Sequence, residues 1–340
     1  MVKTDTVSVN QAVGPDVLHL DASAEIQRIT DVISDQVLRK LRRRGVVMGV
    51  SGGVDSSVCL ALCERALGPD RVLSLMMPEA DSDPESLRLG HLIADTCGVQ
   101  GIVEDIAPIL IGAGCYTRRD YFIRQVVPEF GDDWKCKIVL HPEGQSNSGY
   151  NIFWLVTQSP DGQQKKVRLP LESYLGIVAS TNMKQRTRKQ VEYFHADRLN
   201  YAVVGTPNRL EYDQGFFVKN GDGAADIKPI AHLYKTQVYQ LAEALGIPDE
   251  IRRRPPTTDT YSLPQSQEEF YFTLPYDKMD LCLWGVNHDI APAEMADAIG
   301  VSEPQIQRVY RDIQSKRRAT AYQHAGPLLV SDVSEICHIS

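Results

Sequence analysis

The segment VVMGVSGGVDSSVCLALCERAL, residues 46–67, carries the strongest fold signal in the chain. VVMGV is a short, continuously apolar run, which is typical of a strand buried on both faces of a parallel sheet. Residues 56–67 have the pattern of a helix, so the SGGVDSS segment before them predicts a tight strand-to-helix turn. Glycines at positions 52 and 53 allow such a turn to direct backbone N–H groups and the helix N-terminus at an anion.

Strand and helix patterns alternate on both sides of this turn. Further strands are predicted at 71–77, 99–104 and 200–205. Helices are predicted at 24–44, 83–98, 172–196 and 234–245, followed by three short helices that end near residue 318. This alternation predicts an α/β fold with a doubly wound parallel sheet and a C-terminal helical part.

Residues 121–170 interrupt the alternation. Three short runs within them, KCKIVL, NIFWLVTQ and KKVRLPL, have the composition of strands and are separated by turn-forming segments. We therefore expect an inserted antiparallel hairpin element. The remainder of residues 21–330 is expected to form one domain, with flexible termini at 1–20 and 331–340.

The composition argues against several classes of protein. The chain contains 36 Lys+Arg and 44 Asp+Glu, a net charge of −8, so neither nucleic acid nor a membrane surface is expected as its main partner. No apolar run approaches the ~20 residues that cross a bilayer, and the first residues do not resemble a secretory signal. The seven cysteines include no C-x-x-C pair, so we expect reduced thiols in a cytoplasmic protein.

The SGGVDSS turn also predicts a site for the phosphates of a nucleotide. Ser51, Ser56 and Ser57 can add hydroxyl donors, whereas Asp55 introduces an acid and the turn lacks the lysine of a Walker loop. An acid beside phosphates requires a bridging Mg²⁺. Two adjacent glycines alone would indicate an ordinary turn, but the full S-G-G-x-D-S string after a buried strand is far more specific. It resembles the pyrophosphate loop of the N-type ATP pyrophosphatases, which split ATP into AMP and pyrophosphate.

Four later segments narrow this resemblance. They are TNMKQRTR at 181–188, GTPNRLEYDQGFFVKNGDGAADIKPI at 205–230, LYKTQV at 233–238 and PPTTD at 255–259. Together with the loop, they resemble the ammonia-dependent NAD synthetase family from about residue 21 to residue 327, without the insert. The resemblance implies a homodimeric enzyme that adenylates deamido-NAD⁺ with MgATP and forms NAD⁺ with ammonia. Because 340 residues leave no room for the glutamine-hydrolysing domain of larger relatives, we expect free ammonia or a separate glutamine amidotransferase to supply the nitrogen.

The site residues follow from the same resemblance and from the chemistry of pyrophosphate departure, which requires cations and N–H donors. The expected ATP ligands are Gly49, Ser51, Gly52, Gly53, Val54, Asp55, Ser56, Ser57, Met77, Thr206, Lys235 and Thr257. The expected ligands of deamido-NAD⁺ are Asn182, Arg186, Lys219, Asp222 and Asp226. Asp55 and Glu211 are the expected Mg²⁺ ligands. Asp55, Lys235 and Asp222 are the expected catalytic residues, with Asp222 accepting a proton from ammonium.

Each of these residues also has a structural interpretation. Taken singly, a lysine such as Lys219 is more often solvated, the Arg186 region could be a basic helix face paired with surface acids, and Asp222 and Asp226 could serve a tight turn. Two features depart from the family pattern: the loop SLPQSQEEFYF at 262–272 lacks the usual acidic stretch ending in glycine, and the insert has no counterpart. An amide synthetase acting on a related acid is therefore an alternative.

A DNA-binding function is the second alternative. Residues 291–318 have the outline of a helix-turn-helix, and Arg308, Arg311, Lys316, Arg317 and Arg318 lie on or after its second helix. The negative net charge argues against this interpretation, because it opposes approach to a polyanion.

Overall fold

The computed structural model describes residues 13–140, 153–256, 260–264, 274–331, 333 and 335. Its strands are β1 (Val46–Gly49), β2 (Val72–Met76), β3 (Gln100–Val103), β4 (Lys135–Leu140), β5 (Phe153–Gln158), β6 (Gln164–Arg168) and β7 (Ala202–Val203). The helices are α1 (Ala22–Ser34), α2 (Val54–Leu67), α3 (Pro84–Thr96), α4 (Ala107–Gly112), α5 (Cys115–Arg124), α6 (Leu171–Leu199), α7 (Arg209–Gln214), α8 (Lys235–Ala244), α9 (Asp249–Arg252), α10 (Tyr276–Asn287), α11 (Pro292–Ile299) and α12 (Glu303–His324).

The central sheet is parallel, with the strand order β3-β2-β1-β7. Val46 and Met48 of β1 pack in a core cluster with residues of α1, α2 and α8 on one face. Val47 packs in a second cluster with residues of α4 and α6 on the other face. Because alternate side chains of one strand point to opposite faces, helices cover both sides of the sheet. The expected doubly wound α/β fold is confirmed, and the turn after β1 lies at the carboxyl edge of the sheet.

The inserted region forms a separate antiparallel sheet with the order β4-β5-β6. Its three strands confirm those predicted from KCKIVL, NIFWLVTQ and KKVRLPL. The sheet packs on α5 and α6 through a cluster that includes Ile123, Ile138, Leu155 and Ile177. Helices α4 and α5, which lead into the insert, were not predicted from the sequence.

Two further expectations about the ends of the chain need correction. Residues 15–18 form a short 3-10 helix in which Leu18 is buried, and the Leu18 carbonyl accepts a hydrogen bond of 3.0 Å from Gln240, so this part of the N-terminus is packed rather than flexible. The last of the three C-terminal helices, α12, has 22 residues and is not short. Its length follows from an apolar face that packs on α10 and α11.

The C-terminal helices bury part of the basic set on which the DNA-binding alternative depends. Lys316 is buried and lies 2.8 Å from Asp312. The Arg317 guanidinium contacts Asp213 and Asn287 at 2.6 Å each. Two of the five basic residues in that prediction are therefore directed into the protein. Across the described residues, no helix combines the length and apolar character that crossing a bilayer requires.

Candidate active site

A cavity of about 710 Å³ lies at the carboxyl ends of β1 and β2. It collects most of the residues that the sequence singled out. Those in its wall are Gly49, Ser51, Gly53, Val54, Asp55, Ser56, Met77, Asn182, Thr206, Glu211, Asp222 and Lys235. Residues from four widely separated parts of the chain therefore share one space, as expected of a ligand site at the edge of an open α/β sheet.

The turn between β1 and α2 has the geometry of an anion cradle. Gly52 has φ +71°, and a Cβ at this position would lie 2.6 Å from Leu89 Cβ and 2.8 Å from the Ser86 carbonyl oxygen. Only glycine fits there, because α3 crosses directly behind the turn. The Ser56 and Ser57 hydroxyls donate to the Gly53 carbonyl at 3.0 and 2.9 Å. No side chain caps the N-terminus of α2, so its first turn can meet an anion from the cavity.

A buried ion pair stands beside this turn. The Lys235 ammonium bonds to the Asp55 carboxylate, and the Lys235 side chain is only 3% exposed. Asn208 donates to the other carboxylate oxygen of Asp55 at 3.3 Å, and its backbone N–H donates to Glu211 at 3.1 Å. Burial opposes the charge of Lys235, but the carboxylates of Asp55 and Glu211 outweigh it and raise the lysine pKa. The site therefore holds a permanent cation next to the anion cradle.

A second buried ion pair lines another part of the cavity. It joins the Lys189 ammonium and the Glu192 carboxylate of α6, which lie 2.6 Å apart. Asp222 lies in the wall near this pair and accepts the Val218 N–H at 2.8 Å. Burial raises the pKa of both Glu192 and Asp222. The sequence did not single out Lys189 or Glu192, although they follow Asn182 and Gln185 at helical spacing, a signal that could have found them.

Several predicted residues do not line the cavity. Arg186 is exposed and donates to the Lys219 carbonyl at 3.2 Å. The Lys219 ammonium bonds to the carbonyls of Tyr322 and Ala325 at 2.7 and 2.8 Å, so it caps the end of α12, where a cation is favoured. Asp226 accepts the Val203 N–H at 2.7 Å and ties its turn to β7.

Three remaining predicted residues lie in the loop and in the segment after Pro256. Gly52 and Ser57 support the turn from behind and lie outside the cavity wall. Thr257 falls outside the described residues. The structural interpretation of Lys219 and Asp226, as a helix cap and a turn residue, therefore accounts for both within the single chain.

The fit of a metal ion can be judged from the donor set. No group of three or more His, Cys, Asp or Glu able to hold a metal is found in the described part of the chain. Asp55 and Glu211 nevertheless suit Mg²⁺, because this ion usually takes one or two protein carboxylates and completes its shell with water and phosphate oxygens. Both carboxylates line the cavity beside the cradle.

The fold and the cavity define a doubly wound α/β protein with a phosphate-type turn at the carboxyl edge of its sheet. Comparison with known proteins is more specific. The chain belongs to the NAD synthase family, whose sequence model matches residues 25–117 and 164–321. The unmatched stretch between these ranges contains β4 and β5 of the insert.

Individual relatives agree with this assignment. A protein of Rhizobium meliloti (strain 1021) named NH₃-dependent NAD⁺ synthetase is 62% identical over 321 residues, covering 94% of this chain and 96% of the relative. The solved NH₃-dependent NAD synthetase of Campylobacter jejuni superposes with a TM-score of 0.59 at 20% identity, covering 92% of this chain and 100% of that one. The NMN synthetase of Francisella tularensis gives a TM-score of 0.58 at 18% identity, covering 92% and 99%. At these identities the two structures show the shared fold alone.

Proposed function

We propose that this protein catalyses the ATP-dependent amidation of deamido-NAD⁺ to NAD⁺ with ammonia, through an acyl-adenylate. The nicotinate carboxylate attacks the α-phosphorus of ATP and pyrophosphate leaves; ammonia then attacks the acyl carbon and AMP leaves. The observation that carries the proposal is the cavity in which an anion cradle, a buried lysine and two carboxylates converge. Membership of the NAD synthase family supports it.

We assign the nucleotide to the cradle side of the cavity. Pyrophosphate gains charge as it departs, so the N–H groups of the turn and the Lys235 ammonium would stabilise the transition state more than bound ATP. Asp55 and Glu211 would hold Mg²⁺, which supplies positive charge at the phosphates when bound. With the ion bound, the Asp55 carboxylate would have two cationic partners, the Lys235 ammonium and Mg²⁺. This explains the need for an acid at a position of the turn where a Walker loop has none.

We assign the amide-forming step to the part of the cavity near Asp222. Ammonia reacts as NH₃, so a group that accepts a proton from ammonium assists the reaction. The raised pKa of Asp222, caused by burial, makes it a better proton acceptor than an exposed carboxylate. Asn182, also in the wall, is proposed as a contact of the dinucleotide.

A homodimer is part of the proposal. Leu171, Leu175 and Phe194 of α6 are 72, 54 and 61% exposed in the single chain, and exposed apolar side chains of this size favour contact with a second copy. Arg186 lies on the same helix and could reach a dinucleotide only from such an interface. The enzyme is proposed to be cytoplasmic, where its free cysteines stay reduced, and to take ammonia from solution or from a separate amidotransferase.

The direct test is incubation with ATP, Mg²⁺, ammonium and deamido-NAD⁺, followed by separation of the nucleotides. Equal amounts of AMP and NAD⁺ are expected. AMP without NAD⁺ would overturn the substrate assignment while leaving the adenylation chemistry in place. Absence of AMP under all conditions would overturn the proposal as a whole.

An amide synthetase acting on a related acid is the second candidate, because Leu140 and Phe153 of the insert line the cavity and lie in the stretch that the family's sequence model leaves unmatched. The discriminating experiment offers deamido-NAD⁺ and nicotinic acid mononucleotide separately. A higher kcat/KM for the mononucleotide would favour this candidate over the first.

A further inference from the structure

The edge strand of the insert holds the chain segment 260–264. β4 is the end strand of its sheet, so one of its edges is open for pairing. On that edge the Leu263 N–H donates to the Cys136 carbonyl at 3.1 Å, and the Cys136 N–H donates to the Ser262 hydroxyl at 2.9 Å. The Lys137 ammonium bonds to the Pro264 carbonyl at 3.0 Å. These contacts add the segment to the insert sheet as a short extra strand would.

The start of the same segment is anchored from the other side. Tyr261 is 7% exposed and packs in the core of the insert. The Thr260 carbonyl accepts a hydrogen bond of 2.9 Å from Lys184, whose ammonium also contacts Glu79 at 3.0 Å and Asp81 at 2.6 Å. The Lys184 side chain is 1% exposed. A buried ammonium with fixed partners allows little movement, so the position of Thr260 is set by α6 and by the residues after β2.

The anchored segment forms part of the cavity wall. Thr260 and Tyr261 line the cavity together with Leu140 and Phe153 of the insert, and the Phe153 ring stacks on Tyr174 with centroids 4.0 Å apart. Pro78 and Glu79, which follow β2, line the same side. If the turn after β1 takes the phosphates, the nucleoside extends over the end of the neighbouring strand, as in other open α/β sheets. This wall would then face the nucleoside of ATP.

We propose that the insert is a positioning device for the ATP site: β4 fixes segment 260–264 so that Thr260 and Tyr261 close the cavity wall around the nucleoside. The inference rests on the proposed function, because it takes ATP as the occupant of the cavity. It gives the insert a role in substrate binding rather than that of a surface elaboration. Ser262 and Lys137 are positioning residues, since neither lines the cavity and both act through the segment.

The test is the double variant Ser262→Ala/Lys137→Ala, which removes two side-chain contacts and leaves the cavity wall residues unchanged. The matched control, Ser159→Ala/Lys165→Ala, makes the same substitutions in the insert away from the cavity, where Ser159 contacts Asp161 and Lys165 contacts Glu129. One net hydrogen bond corresponds to roughly a five-fold change in an equilibrium. The Kd for MgATP, measured by titration without ammonium or acid, and the KM for ATP are both expected to rise about five-fold or more. The KM for deamido-NAD⁺ and kcat should stay within about two-fold.

Hydrogen exchange of a peptide covering 260–264 reads the anchoring without catalysis. Faster exchange is expected in the double variant and unchanged exchange in the control, at melting temperatures that show both to be folded. Ser262→Thr keeps the hydroxyl and, in the Lys137→Ala background, should give slower exchange and tighter ATP binding than the double variant, with the loss due to Lys137 remaining. Faster exchange with an unchanged Kd for MgATP would overturn the proposal, as would unchanged exchange or a selective rise in the KM for deamido-NAD⁺. If the proposed function is wrong, the native protein will form no AMP. The MgATP titration and the hydrogen exchange of the 260–264 peptide still test the role of the insert in that case, because neither depends on catalysis.

Discussion

The buried pair of Asp55 and Lys235 predicts an asymmetric effect on stability. The Lys235 side chain is 3% exposed and that of Asp55 is 18% exposed. Asp55→Asn therefore leaves a cation in a nearly dry site, whereas Lys235→Met leaves a carboxylate that water can partly reach and that Asn208 still contacts. Breaking a buried pair costs about 3–5 kcal/mol. Because Asp55 is partly exposed and Glu211 remains near the lysine, we expect about 2–4 kcal/mol for Asp55→Asn and about 1–2 kcal/mol for Lys235→Met.

The double variant Asp55→Asn/Lys235→Met isolates the interaction. With the cation and its partner both removed, its free energy of unfolding should lie above that of Asp55→Asn alone, which requires a coupling energy larger than the cost of Lys235→Met, about 2–3 kcal/mol. Urea unfolding followed by circular dichroism supplies the four values, and AMP formation should be lost in all three variants. Single effects that add to within about 0.5 kcal/mol would refute the interpretation of this contact as a buried, mutually dependent pair.

Three other predictions address the loop, the role of Lys219 and pH. Gly52→Ala should lose ATP binding and destabilise the fold by more than the ~1–2 kcal/mol of a left-handed alanine, because its Cβ meets α3. Gly300 has φ +66° and ψ 44°, the left-handed region, and a Cβ there would meet nothing within 4 Å, so Gly300→Ala measures the backbone strain alone. Equal losses in thermal melts would contradict the steric argument. Lys219→Met should lower the free energy of unfolding by about 1 kcal/mol, because it removes the cap at the end of α12. The KM for deamido-NAD⁺ should change little, and a ten-fold rise in that KM would show that Lys219 contacts the substrate. Burial raises the pKa of Asp280 from an ordinary 3.8 to about 7, and the hydrogen bond from the Thr236 N–H partly offsets this shift. The folded protein therefore favours the protonated carboxyl. The stability that this group contributes is present below about pH 4 and is lost as the pH rises from about 4 through 7. Asp280→Asn should flatten the fall in melting temperature over this range, and an unchanged slope would count against the buried carboxyl.

The elements that could be predicted from the sequence are those determined by residues close together in the chain. The β1 strand, the SGGVDSS turn and α2 follow from an apolar run, two glycines and a helical pattern within 22 consecutive residues. The three strands of the insert and the helix over 171–199 follow in the same way. Such signals depend on backbone geometry and on the period of side chains along one element, so they are present before any tertiary contact forms.

Tertiary structure decided which of the singled-out residues share a site and what the insert does. Asp55 and Lys235 are 180 positions apart and form one ion pair, whereas Lys219, equally well marked by the family pattern, turned toward the end of α12. Cys136 and Ser262 are 126 positions apart, and nothing in either local sequence indicates that β4 would hold the segment after PPTTD. Contacts of this kind depend on how packed helices and sheets orient a side chain over distances that no local periodicity encodes.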